Sequence, residues 1–237
     1  MKRLAFLFVA WAWLIACAGC AVGGTCIYGL SGFIETPDDT TAGPSAVTLA
    51  GRYVADYADT NFNLFSYGGT VGVMPKLEVG AVAMDSDAQG SKVEGIVNVK
   101  FRVLDESVDR PSVTVGVVDL ANSLGGMARG INKVSAFLLV GRNLSSVAES
   151  WGGLVSTPLR GTIGFGTGIY KGVFVGLDWS PSSRVDLMAE YLSEGLRRTG
   201  SVNAGARVNV VGGLSLEVGT LGFKDLYGGL NYAFSMY

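Results

Sequence analysis

From Ala46 onward, apolar and polar residues alternate with a period of two. In RVDLMAEYLSE (Arg184–Glu194), Arg184, Asp186, Glu190 and Glu194 share one face, and Val185, Leu187, Ala189 and Tyr191 the other. In VEGIVNVKFRV, Glu94, Asn98, Lys100 and Arg102 alternate with Val93, Val97, Val99, Phe101 and Val103. In NAGARVNVV, Asn203, Arg207 and Asn209 oppose Ala204, Ala206, Val208 and Val210, and in VFVGLDW, Asp178 opposes Val173, Val175, Leu177 and Trp179. This periodicity predicts about twelve strands. They are Ala46–Tyr57, Asn63–Met74, Leu77–Met84, Val93–Leu104, Ser112–Asp119, Val134–Asn143, Leu159–Ile169, Val173–Trp179, Arg184–Ser193, Val202–Val210, Leu214–Leu221 and Tyr227–Met236. A helical turn or two is expected only over Ser145–Leu154.

Alternating strands fit either a soluble barrel with its apolar face inward or a membrane barrel with that face toward lipid. Strand length favours the second, because a tilted strand crosses a bilayer in roughly 9–11 residues. So does the connection pattern, with short turns at Pro75-Lys76, Ser180–Ser183 and Val211–Gly213. Longer connections follow at Asp85–Lys92, Leu120–Lys133 and Glu194–Ser201. The polar face carries both signs, as a lumen of cross-paired charges would. Its members are Arg52, Glu78, Glu94, Lys100, Arg102, Arg160, Asp178, Arg184, Asp186, Glu190, Arg207 and Glu217. Tyr53, Tyr57, Trp151, Tyr170, Trp179, Tyr191 and Tyr232 lie near strand ends, where interfacial girdles form. The fold expected is all-β: a single antiparallel transmembrane-type β-barrel of about twelve strands over residues 46–237, following a signal peptide.

Composition sharpens this picture. Only 16% of the 237 residues are charged, against roughly 25% in soluble domains, and 35 are glycine. The net charge of −2 leaves no basic footprint for nucleic acid. Histidine is absent, which excludes Ser-His-Asp, Cys-His and His-zinc chemistry. At the N-terminus, Lys2 and Arg3 precede an apolar run from Leu4 to Ala16 and then small residues, the form of a signal peptide over residues 1–20. Leu14-Ile15-Ala16-Cys17 has the shape of a lipobox that would lipidate Cys17, whereas Ala16-Cys17-Ala18 and Ala18-Gly19-Cys20 fit ordinary cleavage. The three cysteines (Cys17, Cys20, Cys26) all fall in or just after this leader, so no disulfide framework is expected.

Other motifs carry less. Gly164–Gly168 and Gly68–Val73 look like phosphate-binding glycine loops, but β-like sequence continues on both sides where a helix is required. Carboxylates four apart on a strand, such as Glu190 and Glu194, are separated by roughly 13 Å, too far for glycoside hydrolysis. No enzyme activity, cofactor or metal site is read from the sequence.

Residues 21–45 form an N-terminal segment whose core is YGLSGFIETP. With MPKLEVGAV (Met74–Val82), VDLMAEY, NAGARV and YGGLNYAF, it resembles the YjbH-like family of bacterial outer-membrane proteins, associated with exopolysaccharide production. The N-terminal motif of that family matches Gly29, Gly32, Phe33, Ile34, Thr36 and Pro37, with Glu35 among them. The end of the chain, with Leu230, Tyr232, Phe234 and terminal Tyr237, resembles the sorting signal read by the barrel-assembly machinery, although Tyr237 falls on the other face. The resemblance implies an outer-membrane protein that assists exopolysaccharide secretion or surface assembly, surrounded by outer-membrane lipid and acting with polysaccharide export proteins. A narrow polar channel is the related expectation. The alternative is a lipid-anchored periplasmic barrel that binds an apolar ligand. Phe33-Ile34 needs a place to bury, so Gly29–Pro37 is expected to pack against or enter the periplasmic mouth, with Glu35 near the lumen arginines.

Overall fold

Alternation of β-branched and aromatic residues with small polar ones suits a pleated surface with two unlike faces. The computed structural model describes residues 24–57, 62–88, 90–124, 134–145, 157–194 and 199–236. The leader with Cys17, Trp151, most of Ser145–Leu154, and Tyr237 fall outside those residues. Twelve strands are present among the described residues: β1 (Ala46–Val54), β2 (Leu64–Met74), β3 (Leu77–Ser86), β4 (Glu94–Leu104), β5 (Ser112–Val118), β6 (Ser135–Asn143), β7 (Leu159–Gly166), β8 (Gly172–Ser182), β9 (Val185–Glu194), β10 (Thr199–Val211), β11 (Leu214–Leu221) and β12 (Asp225–Ser235). Two boundaries differ instructively from the pattern. β1 stops at Val54 because Asp56 turns the chain with φ 49°. β8 runs on past Trp179 to Ser182, at the cost of a register shift around Pro181, which has no N–H for the ladder.

Each strand pairs antiparallel with its sequence neighbours, and β1 closes on β12 from Ala46↔Ser235 to Val54↔Tyr227. Closure leaves no unpaired edge, which is the condition for β-structure in lipid. The termini of the strand array, Ala46 and Ser235, lie together at one end of the barrel. The opposite end is called the far end below.

The apolar face points outward. Val218 is 61% exposed, Leu230 53% and Leu49 51%, while inward Glu78 and Lys100 are 0% exposed. An apolar ligand binder would need the reverse, so that alternative reading is corrected. The outside is the surface a bilayer would cover. Tyr53, Tyr191 and Tyr232 lie outward as the girdle reading expects. Tyr57 and Tyr170 do not. Both are buried in the lumen, because they sit in turns beyond the strand ends, where strand parity no longer governs direction.

Inside, the lumen is layered. Toward the far end its wall is apolar: Val54, Leu64, Met84, Ile96, Val118, Phe137, Phe174, Leu192, Leu221 and Tyr227 form one cluster. Ile169 and Tyr170, from a 3-10 turn at Gly168–Tyr170, fold in to join it. Toward the termini the wall is polar, with Arg52, Glu78, Lys100, Thr114, Thr162, Glu190, Arg207 and Glu217 buried.

Candidate functional site

The lumen is filled by the chain's own N-terminal segment. Residues 24–37 and Asp39 are all buried, and the chain leaves the lumen through Thr40–Ser45 to begin β1. We call residues 24–39 the plug. Gly29, at φ +81°, turns the chain back, with its N–H donating to Cys26 O at 2.9 Å. A small hairpin follows: Asp38 N–H donates to Ser31 O (3.2 Å), Gly32 bridges Pro37, and Phe33 N–H donates to Thr36 O (2.9 Å).

Buried backbone groups away from a ladder need partners, and here side chains of the barrel wall supply them. Ser66 Oγ donates to Ile27 O (2.6 Å), and Asn98 Nδ2 donates to Tyr28 O. Lys100 Nζ donates to Ser31 O at 2.7 Å, and Tyr170 Oη to Glu35 O at 3.1 Å. Two carboxylates on opposite walls of the ring use one device. Glu78 on β3 accepts from Ser31 N (2.7 Å) and Ser31 Oγ (2.6 Å), and also from Ala42 N (2.7 Å). Glu190 on β9 accepts from Glu35 N (2.7 Å), Thr36 N (2.9 Å) and Thr36 Oγ1 (2.6 Å). The plug thus crosses the barrel between Ser31 and Thr36.

Packing is equally close. At Gly80 on β3 and Gly176 on β8, an added Cβ would meet the Gly29 carbonyl and the Phe33 ring respectively. These two lumen-facing strand positions hold glycine where the plug leaves no room for a side chain.

Charges are organised in groups. Glu217 accepts from Arg52 Nη2 (3.0 Å) through one oxygen and from Arg207 Nε (2.6 Å) through the other. Arg52 also donates to Thr25 Oγ1 (2.8 Å) and Asn231 Oδ1 (2.9 Å), tying the plug to the β12–β1 closure. Lys100 lies 3.7 Å from Glu78 and 3.3 Å from Asp38. Where the plug nears the mouth, Asp39 is gripped by Arg160, Ser112 and Thr162, and Arg160 also pairs with Glu106 at 2.8 Å.

Burial alone would push the Asp39 carboxyl up. Hydrogen bonding and charge from Arg160, aided by Ser112 and Thr162, outweigh it and hold the group below its ordinary range. A depressed folded pKa means the stabilisation is full above the unfolded value, near ~4, and is lost as pH falls through the folded value. Urea midpoints measured from pH 7 downward should therefore fall in that acid window, and Asp39→Asn should flatten the fall while lowering the midpoint at pH 7. Parallel acid profiles for the parent protein and the Asp39→Asn variant would remove Asp39 from the account.

Of the residues expected in the lumen, Arg52, Glu78, Lys100, Glu190, Arg207 and Glu217 are buried there, and half-buried Arg102 reaches Asp39 O at 3.2 Å. Asp178 and Asp186 line the mouth, and Glu94 begins β4 at the far end. Arg184 lies exposed in the turn before β9 and borders the same mouth cavity as Asp178 and Asp186. The Glu35 carboxylate lies 2.9 Å from Asn203 Nδ2 and 3.5 Å from Tyr57 Oη, and Asp39 pairs with Arg160. The segment also goes deeper than the mouth. Asp39, Ser66, Ser112, Thr114, Thr162 and Asn231 were missed as candidates. All but Asp39 share the inward parity of the charged residues, and that parity was the available signal.

At the termini end a cavity of about 700 Å³ opens between β8 and β11, lined by Asp178, Ser180, Asp186, Arg207 and Asn209. A second, of about 300 Å³, shares Asp178 and Arg207 and runs under Phe33 and Asp38. Ser180 Oγ donates to Asp186 at 2.7 Å. Among the described residues no cluster of three metal-ligating side chains exists.

A closed twelve-strand antiparallel barrel, apolar outside and polar toward its termini end, defines an outer-membrane type of β-barrel, here with its lumen occupied. Solved structures of outer-membrane barrels are similar to the chain. A "KdgM porin" matches with TM-score 0.50 and 10% identity, over 80% of this chain and 99% of that one. An outer-membrane channel of Pseudomonas putida F1 matches with TM-score 0.41 and 10% identity, over 85% and 100%. An active-site mutant of outer-membrane phospholipase A from Escherichia coli matches with TM-score 0.39 and 11% identity, over 91% and 99%. No protein-family model and no curated protein sequence matches the chain.

Proposed function

We propose that this chain is an outer-membrane β-barrel, closed in its resting state by its own N-terminal segment, that assists exopolysaccharide secretion or surface assembly. The observation that carries the closed state is the plug: Thr25, Cys26, Leu30, Ile34, Thr36 and Asp39 are each 0% exposed inside the barrel. The apolar layer beyond it blocks water and ions at the far end as well. A barrel with this filling has a fixed scaffold and a blind polar mouth, which suits assembly or docking better than free diffusion through a pore. The polysaccharide role is supported by the YjbH-like motifs at both ends of the mature chain and in between. No catalysis is assigned, because the buried carboxylates are occupied by plug amides and cations.

Two measurements test the two parts. Purified protein in planar bilayers should give no steady conductance steps, and a persistent open level would overturn the closed state. Deleting the gene should lower surface polysaccharide, with recovery on complementation. Unchanged polysaccharide in the deletion strain would remove the secretion role and leave the closed barrel intact.

A further inference from the structure

The plug is not held equally along its length. The base of its hairpin, Ser31 and Asp38–Asp39, is fixed by ion pairs to one side of the barrel: Lys100 with Glu78 and Asp38, and Arg160 with Asp39. The tip, Phe33–Thr36, reaches to the other side, where Glu190 catches it. The groups that donate to Glu190 are neutral: the Glu35 and Thr36 amides, the Thr36 hydroxyl and Asn203 Nδ2 at 2.7 Å. Beside the tip lies open space. Both cavities at the termini end border this wall, one of them running under Phe33 itself.

We infer that Gly32–Pro37 is a movable tongue, hinged at Ser31 and Asp38, with Glu190 as its catch and the mouth cavity as the room it swings into. The reading rests on the barrel fold and the plug, and is independent of any polysaccharide role. Cross-hairpin contacts, Gly32↔Pro37 and Phe33 N–H to Thr36 O, let the tongue move as one piece. Release breaks the Ile27 N–H to Ile34 O bond (2.8 Å) together with the bonds that Tyr170 Oη and Asn203 Nδ2 donate to Glu35 and Arg207 Nη2 donates to Gly32 O. It also lifts Phe33 from Gly176, so the cavity deepens toward the apolar layer. The root, Thr25–Tyr28, keeps its own partners on β1, β2 and β4: Arg52, Ser66 and Asn98. A carboxylate catch is a strong but reversible hold, because charge-assisted hydrogen bonds exceed neutral ones yet are lost together when the acceptor changes.

Hydrogen exchange of the full chain in detergent micelles tests this. Glu190→Gln should speed exchange of the Glu35 and Thr36 amides, and of the Ile27 amide that donates to Ile34 O, by about tenfold or more, with the Cys26 and Gly29 amides, bonded within the root, unchanged. Thr36→Val, which removes one donor and keeps the volume, should give a smaller increase in the same amides. Heat-modifiable gel migration reports whether each variant is a folded barrel. Equal acceleration of tongue and root would mean the plug leaves as a whole and would overturn the hinge. Unchanged tongue exchange in a folded Glu190→Gln barrel would overturn the catch.

Discussion

Glu217→Ala is expected to destabilise the barrel by about 3–5 kcal/mol, the range for removing one partner of a buried ion pair. Glu217 is 4% exposed and stands between Arg52 at 5% and Arg207 at 2%. Without its carboxylate, two buried guanidinium groups face each other with no counter-charge between them. The damage falls on the seam of the cylinder, since Arg52 belongs to β1, Arg207 to β10, and Arg52 also holds Asn231 of β12. Thr25 hangs on the same guanidinium, so the plug root loosens with the wall. Glu217→Gln should cost less, because it keeps shape and one acceptor. Urea unfolding followed by heat-modifiable migration measures both, and a loss under about 1 kcal/mol for the alanine variant would show that water or neighbouring groups already compensate the arginines.

Gly80→Val and Gly51→Val should differ sharply although both residues are glycines in strand centres. At Gly80 the new side chain points inward onto the Gly29 carbonyl, and backbone cannot yield as a flexible side chain can. Overpacking of this kind costs roughly 1–3 kcal/mol, and more where nothing relaxes. At Gly51 a Cβ meets nothing within 4 Å and points outward, where a bilayer accepts valine. Cys26 offers the readout, because it is 0% exposed and sits in the plug root. With Cys17 and Cys20 changed to serine, the Cys26 thiol should resist alkylation in the parent and in Gly51→Val, and become reactive in Gly80→Val. Protection in all three would mean the plug accommodates the extra volume by shifting within the lumen.

Strand order and facing were legible because each wall residue obeys a local rule. A strand has two faces, and residues such as Glu190 and Tyr191 must take opposite ones whatever the partners. Short turns at Pro75-Lys76 and Gly212-Gly213 then compel antiparallel neighbours. Parity failed where a residue left its strand, as Tyr57 and Tyr170 do. Within the N-terminal segment the local rule was absent altogether. Asp39, Ser31 and Thr36 belong to no periodic pattern, and their partners Arg160, Glu78 and Glu190 lie 121, 47 and 154 residues away.

The sequence by itself determined the strands, their two faces, and the need for Phe33-Ile34 to be buried, since each follows from neighbours a few residues apart. Only the tertiary structure decided what the polar face is for. Met188 and Leu192 share the parity of Glu190, and alternation cannot say that Leu192 joins an apolar floor while Glu190 holds a peptide. Closure of β1 on β12 brings ten other strands between them into one ring, and a ring creates an interior whose volume must be filled. The plug fills it because its unpaired backbone groups and the inward side chains meet their hydrogen-bonding needs only in each other.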